Sequence, residues 1–423
     1  MQQVVIVGAG FGGLQVAKGL AGSAVGVTLI DRQNHHLFQP LLYQVATAGL
    51  SPAEIAWPIR HLVRRQDNTR VLLGEVTGVD TDRKVAFLGD RPIAYDWLVI
   101  ATGAAHGYFG HDEWAPHAPG LKDLDDATAI RQRLLLAFER AEMEANPLVC
   151  ARLLTIVIIG GGPTGVEMAG AVAELARRAL AADFREIDPR QTRVVLLEAG
   201  ARLLPSFPEA LSLHAEAALR RLGVDVRVGR TVTRCDAQGV ALENEFIEAG
   251  TVVWAAGVSA SPAARWLGVS GDRAGRVPVG PQLRPAGLDD VYVIGDTAFA
   301  PNAEGAPLPG IAPVAKQQGT YVARAINAIL LGREELPPFV YRDRGQLATV
   351  GRRSAVIAYK RIRLKGWVAW WLWGAAHIYF LVNLRNRVIV MTQWLWSYLV
   401  FERGARLITG LRRDDERCGD DGS

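Results

Sequence analysis

The run Val5-Ile6-Val7-Gly8-Ala9-Gly10-Phe11-Gly12-Gly13 places Gly8, Gly10 and Gly13 at the spacing G-x-G-x-x-G. Each glycine of that spacing has a task at a dinucleotide pyrophosphate. The first allows a tight turn, the second lets the phosphates approach the backbone, and the third lets helix and strand pack closely. The phosphates then rest on a helix N-terminus, where unpaired N–H groups and the helix dipole favour anions. Asp31 stands 23 positions after Gly8, where a carboxylate accepts hydrogen bonds from ribose hydroxyls. A second set follows in Ile158-Ile159-Gly160-Gly161-Gly162-Pro163-Thr164-Gly165, with Glu198 as its acid, 38 positions after Gly160. The charged stretch 177–190 accounts for this longer separation. A 2′-phosphate beside Glu198 meets a like charge and loses several tenths to a few kcal/mol. NADH is therefore expected over NADPH, with Arg202 as the nearby cation that softens the preference.

These turns need strands before them and helices after them. Residues 4–7 form a β-branched run, 14–20 read as helix and 27–30 as a second strand, which opens a parallel βαβ unit. The order recurs with a strand over 153–159, a helix over 166–180 and a strand over 193–197. Two such units about 150 residues apart imply two nucleotide-binding domains. Between them, 71–79 and 84–88 predict a small antiparallel sheet, 95–101 a buried strand, and 123–144 a long amphipathic helix bridging the domains. Strands over 251–256 and 291–294 end at Gly257 and at Gly295-Asp296, a helix follows over 316–330, and 334–338 reads as a linker.

The whole chain has 423 residues, enough for two or three cores, with 49% apolar and 21% charged residues. A net charge of +4 gives no reason to expect nucleic acid as a partner. Cys150, Cys235 and Cys418 lie far apart with no CxxC, which excludes a disulfide framework or a zinc site and reads as small buried side chains in a reducing compartment. No metal site is expected. The N-terminus runs from Met1-Gln2-Gln3 straight into a strand, without the basic start of a signal peptide.

Two nucleotide folds, with turns at Ala101-Thr102-Gly103, Ala256-Gly257 and Gly295-Asp296, resemble the two-dinucleotide-binding-domain flavoproteins. That resemblance implies an α/β protein of two Rossmann-like domains, the first holding non-covalent FAD and the second NAD(P)H. It assigns Gly8, Gly10, Phe11, Gly12, Gly13, Asp31, Arg32, Val76, Thr102, Gly103 and Asp296 to FAD, with Asp296 on the ribityl chain. It assigns Gly160, Gly162, Pro163, Thr164, Gly165, Glu198 and Gly257 to NAD. The FAD domain is expected over 1–120 and 270–335, and the NADH domain with its bridging helix over 121–269. Many relatives carry a redox-active cysteine pair; this chain has none, which argues against a disulfide reductase and a sulfide:quinone oxidoreductase.

Three stretches narrow the resemblance to the type II NADH:quinone oxidoreductases: Asp31-Arg32-Gln33-Asn34-His35-His36-Leu37-Phe38-Gln39-Pro40-Leu41-Leu42-Tyr43-Gln44-Val45-Ala46, Gly160 to Glu167, and Ala312-Pro313-Val314-Ala315-Lys316-Gln317-Gln318-Gly319. The third is similar to an Ala-Gln-x-Ala-x-Gln-Gln-Gly pattern at the quinone pocket, with Pro313 in place of its first Gln. The resemblance places Ala315, Lys316, Gln317 and Gln318 at the quinone. It places Glu167 near the flavin where nicotinamide arrives, as a group that orients nicotinamide or relays protons. A helix-terminal acid and a glutamine cap on the FAD side are the alternative roles.

Between Tyr341 and Arg413 there are 14 Lys/Arg against two acids, Asp343 and Glu402, with Trp367, Trp370, Trp371, Trp373, Trp394 and Trp396 crowded among them. Residues 366–384 are nearly apolar, broken by His377 and Asn383, and 388–401 are apolar again. Tryptophan prefers the membrane interface, and Lys360, Arg361, Arg363 and Lys365 suit anionic headgroups. Residues 340–412 are expected to attach the chain to one leaflet, with a packed helix pair or a spanning helix as alternatives, and 414–423 to be disordered. His377 is a candidate at the quinone entry. The expected enzyme is a non-proton-pumping, FAD-dependent NADH dehydrogenase, peripheral on the cytoplasmic face of the cell membrane, with a homodimer left open. A soluble FAD-dependent NAD(P)H oxidase or ferredoxin reductase, and a slow redox sensor, are the competing readings.

Overall fold

A computed structural model describes residues 1–302, 304–381, 384–400 and 405–408. Cys418, Asn383, Phe401 and the tail 414–423 lie outside the described residues.

The chain divides into two units. The first comprises Met1–Phe38, Ala56–Phe109 and Gly257–Arg344. Its centre is a parallel sheet in the order Val291–Val293, Trp97–Ile100, Gln3–Val7, Gly26–Asp31, Thr69–Leu73. Its inner strands are apolar without alternation because both faces are covered: Val4, Val5, Ile6, Leu98, Val99 and Ile100 are all fully buried. The helix Phe11–Gly19 packs on Ala312–Leu330 closely enough that a Cβ on Gly319 would lie 2.4 Å from the Gly12 carbonyl oxygen. This second helix starts at Ala312 instead of residue 316, since Pro313 is pre-set for a first helical turn.

Residues 71–79 do not run as one strand of an antiparallel sheet. Thr69–Leu73 is the edge of the parallel sheet, and only Val76–Asp80 pairs with Val85–Leu88, which in turn pairs with Arg91–Ala94. Gly74 stands at the break, where a Cβ would meet Leu88 Cδ1 at 2.7 Å.

The second unit comprises Gln39–Ile55, Gly110–Ala256 and the chain from Gly345 onward. Its parallel sheet runs Val224–Val228, Arg193–Glu198, Thr155–Ile159, Thr251–Trp254. The helix after the second glycine turn spans Pro163–Glu174, and one π turn, Leu175–Ala179, continues it. That wide turn packs Leu175 and Ala176 with Leu135, Phe138 and Ala141 of the helix Leu124–Met143. The long helix lies wholly within this unit, started by a capping box between Asp123 and Asp126. A short helix, Pro147–Leu153, precedes the sheet, with the Asn146 side chain accepting from the Leu148 N–H at 2.9 Å.

Residues from Gly345 build an antiparallel sheet, Gln346–Thr349, Ala355–Tyr359 and Ile362–Gly366, followed by helices Trp367–Phe380 and Leu384–Val400. Among the described residues, no helix is long and apolar enough to cross a membrane.

Candidate functional site

Three constellations carry chemistry. In the first unit, Gly8 holds φ at +99°, and a Cβ there would lie 2.3 Å from the Ala101 carbonyl oxygen. A Cβ on Gly13 would sit 1.8 Å from the Gly8 carbonyl oxygen, so the turn closes only without side chains. Gly10 and Gly103 face open space instead, with nothing within 4 Å of where a Cβ would be. That bare cradle at a helix N-terminus fits a pyrophosphate. Asp31 Oδ2 accepts from the Ala9 N–H at 2.5 Å and Oδ1 from the Gln33 N–H at 2.7 Å. Burial pushes its pKa up, and those two N–H groups oppose the rise. Each carboxylate oxygen has a second acceptor direction for a ribose hydroxyl.

Sequence reasoning missed the groups that lock this cradle. His36 is buried, and its Nδ1 lies 2.8 Å from the Ala9 carbonyl. A carbonyl only accepts, so Nδ1 carries the hydrogen. Burial pushes the His36 pKa down to about 4, which keeps the ring neutral. Thr102 Oγ1 meets Ser261 Oγ at 2.5 Å and Thr297 Oγ1 at 3.1 Å, and Thr297 donates to the Gly103 carbonyl at 2.9 Å. Phe11 packs edge-on against His36 and lies 5.1 Å from Lys316 Nζ. Arg32 is exposed, and Val76 is buried at the start of the small antiparallel sheet.

Gln318 is 1% exposed, and its Oε1 accepts from the Gly295 N–H at 2.7 Å, fixing the turn that carries Asp296. Gln317 donates to the Arg342 carbonyl and accepts from the Arg342 N–H, both at 2.9 Å. Ala315 is buried beside them. Gly257 opens the return of the chain into this unit at φ +76°.

The second unit repeats the first turn almost atom for atom. Gly160 holds φ at +113° against the Ala255 carbonyl, a Cβ on Gly165 would lie 1.8 Å from the Gly160 oxygen, and Gly162 faces open space. Pro163 opens the helix, and Thr164 beside it is exposed. Glu198 Oε2 accepts from the Gly161 N–H at 2.5 Å and Oε1 from the Gly200 N–H at 2.6 Å. Arg202 is committed elsewhere: it donates to the carbonyls of Phe207 and Pro205 and to Ser212 Oγ.

The third constellation is a pocket of about 690 Å³ including its open mouth, built entirely from the second unit. Glu167 lines it beyond the first turn of its helix, and Glu167 Oε1 accepts from the Thr349 N–H at 3.2 Å. Burial pushes the Glu167 pKa up to about 8, with the Thr349 bond opposing, so the carboxyl carries a proton at neutral pH. Tyr43 and Gln44, from the segment 39–55 that joins this unit, form another wall.

The six tryptophans divide. Trp370, Trp373 and Trp394 line the pocket, whereas Trp367, Trp371 and Trp396 are exposed with Val368, Leu372 and Leu395. Trp373 stacks on Trp394 at 5.3 Å, and its indole N–H is buried without a hydrogen-bond partner. His377 sits behind Trp373, its ring 4.2 Å away and its Nδ1 2.7 Å from the Trp373 carbonyl. Burial pushes its pKa down to about 4. A polar seam holds the last helix: Asn386 donates to the Glu54 carbonyl, Gln393 to the Glu54 carboxyl, and Trp394 Nε1 to Gln44 Oε1.

Structurally, then, Glu167 and the inward tryptophans share one pocket, while Gln317 and Gln318 belong to the first unit. Cys235 is buried, and burial pushes its thiol up to about 11.

Residues 2–319 match the family model described as pyridine nucleotide-disulphide oxidoreductase, and 344–403 match the NDH2 C-terminal domain. The chain is 43% identical over 422 residues to the type II NADH:quinone oxidoreductase Ndh of Mycobacterium tuberculosis, covering 96% of this chain and 90% of that protein. It is 30% identical over 412 residues to a probable NADH dehydrogenase of Dictyostelium discoideum, covering 95% and 90%. The solved structure of NDH2 from Plasmodium falciparum in complex with NADH shares the fold, with a TM-score of 0.88 at 20% identity, covering 97% of this chain and all of that one.

Proposed function

The chain belongs to the type II NADH:quinone oxidoreductases, within the pyridine nucleotide-disulphide oxidoreductase family, and on that premise we propose how its own residues perform the reaction. It is an FAD-dependent NADH dehydrogenase that passes two electrons from NADH to a quinone without pumping protons. The observation that supports the residue assignments best is the placing of the Glu167 carboxyl in one pocket with three tryptophans of the C-terminal helices.

Bound FAD supplies the carrier that takes a hydride from nicotinamide and releases two electrons to the quinone. The chain's residues bind, orient and manage protons. Gly8, Gly10 and Gly13 open the first cradle to the FAD pyrophosphate, Asp31 takes an adenosine ribose, and Asp296, fixed by Gln318, takes the ribityl chain. Gly160, Gly162 and Gly165 do the same for NADH, and Glu198 takes its ribose diol. Glu167 holds a proton at its carboxyl for a reduced quinone oxygen.

The protein attaches to the membrane peripherally. Its placement on the cytoplasmic face rests on the excess of Lys and Arg around the C-terminal helices, which suits an anionic leaflet.

The test is NADH oxidation by the purified protein with a short-chain quinone and with ferricyanide. Glu167→Gln should depress the quinone rate severalfold more than the ferricyanide rate. Equal depression of both would remove Glu167 from quinone chemistry.

A further inference from the structure

The two glycine turns are built alike down to one carbonyl. In the first, the Ala9 N–H donates to Asp31 Oδ2 at 2.5 Å, and the Ala9 carbonyl accepts from His36 Nδ1 at 2.8 Å. In the second, Gly161 takes the same place. Its N–H donates to Glu198 Oε2 at 2.5 Å, and its carbonyl accepts from the Leu204 N–H at 2.8 Å. Leu204 makes that bond with φ at +48°, a backbone conformation that is sterically costly for leucine. A donor onto this one carbonyl is thus supplied twice, by chemically unrelated groups.

The peptide plane gives that carbonyl its importance. In a trans peptide the C=O and the following N–H point opposite ways, and no cis peptide occurs among the described residues. Holding the Ala9 carbonyl toward His36 therefore turns the Gly10 N–H away from it. Gly10 is the N-cap of the helix Phe11–Gly19, and nothing lies within 4 Å of its Cβ position. Its N–H so joins the first N–H groups of that helix, which are the groups an anion rests on. His36 is itself fixed. It is 3% exposed, lies in the strand His35–Leu37 paired with Ala56–Pro58, and carries the Phe11 ring edge-on at 5.1 Å.

We propose that His36 is a positioning residue for the FAD pyrophosphate: its ring N–H turns the Ala9–Gly10 peptide so that the Gly10 N–H faces the phosphates. This rests on the reading of the first glycine turn as the FAD cradle. The second turn takes its orientation from Leu204, so nicotinamide binding does not depend on His36.

The experiment compares His36→Phe, His36→Asn and His36→Gln with the wild type. FAD affinity is read from flavin fluorescence as the full-chain holoprotein is diluted and FAD is added back. NAD+ affinity is read by calorimetry at saturating FAD. Phenylalanine keeps a ring without a donor, asparagine carries an N–H at the Nδ1 position, and glutamine carries one at the Nε2 position. His36→Phe should weaken FAD about tenfold, His36→Asn should restore it to within about threefold, and His36→Gln should not restore it. NAD+ affinity should stay unchanged throughout. Wild-type FAD affinity in His36→Phe overturns the proposal, as does a parallel fall in NAD+ affinity, which would mean a general loss of fold. Should His36→Phe fail to fold, equal FAD affinity in the Asn and Gln variants overturns it. A wild type that binds no FAD would instead overturn the reading of the cradle.

Discussion

Thr349 donates its amide hydrogen to Glu167 Oε1 at 3.2 Å, a single long bond for a carboxyl that burial raises from the ordinary 4.5 to about 8. One backbone N–H does not offset the desolvation, so the protonated form persists at neutral pH. The quinone half-reaction should be fast below pH 8 and decline as pH rises through it, and Glu167→Gln should flatten that limb. Stability carries the same sign. Between about pH 4.5 and 8 the folded state holds a proton that the unfolded chain releases, so folding stability falls as pH rises across that window. Melting curves of Glu167→Gln at several pH values should show a shallower fall; an identical slope would contradict the assignment.

The two classes of glycine should fail differently. Gly10→Ala adds a methyl group to open space, so the chain should fold and lose FAD affinity on the order of tenfold. Gly13→Ala drives a methyl group into the Gly8 carbonyl and should reduce soluble, folded protein. Flavin content against circular dichroism separates the two, and comparable folding defects in both would contradict the open-cradle account.

Nicotinamide choice rests on Glu198. With Arg202 held by Phe207, Pro205 and Ser212, little softens the repulsion of a 2′-phosphate. Glu198→Gln should raise the ratio of NADPH to NADH kcat/KM about tenfold, equivalent to about 1.4 kcal/mol. An unchanged ratio would remove Glu198 from the ribose.

Attachment should depend on the outward tryptophans and not on the inward ones. Moving a large apolar side chain from water into lipid is worth about 1.5–3 kcal/mol. Trp367→Ser with Trp371→Ser should therefore weaken liposome binding by about a hundredfold or more while ferricyanide reduction persists. Undiminished binding would point to the helix pair as a packed face instead.

Much of this was legible in the residues. The glycine spacings, Asp31 and Glu198 declare themselves because backbone geometry dictates residue type at each position, and both acids close on their own turns as the pattern requires. The long helix after Asp123 is announced by its amphipathic pattern, and the structure adds the capping box that starts it. Long-range partners are what local pattern cannot give. Nothing near Tyr43 or Gln44 indicates that residues 39–55 join the unit holding the last helix, so their pocket went unseen. Ser261 and Thr297 reach Thr102 from 159 and 195 positions away. The tryptophans read as one membrane cluster by composition, whereas helical phase turns Trp370, Trp373 and Trp394 inward. Gly74, a single residue, splits a continuous apolar run between two sheets.

The most direct test of two half-reactions in one chain is anaerobic stopped-flow absorbance of the purified flavoprotein, adding NADH first and a water-soluble quinone second. The account predicts rapid bleaching of the flavin band by NADH and equally rapid recovery on quinone. Bleaching without recovery on quinone would contradict it.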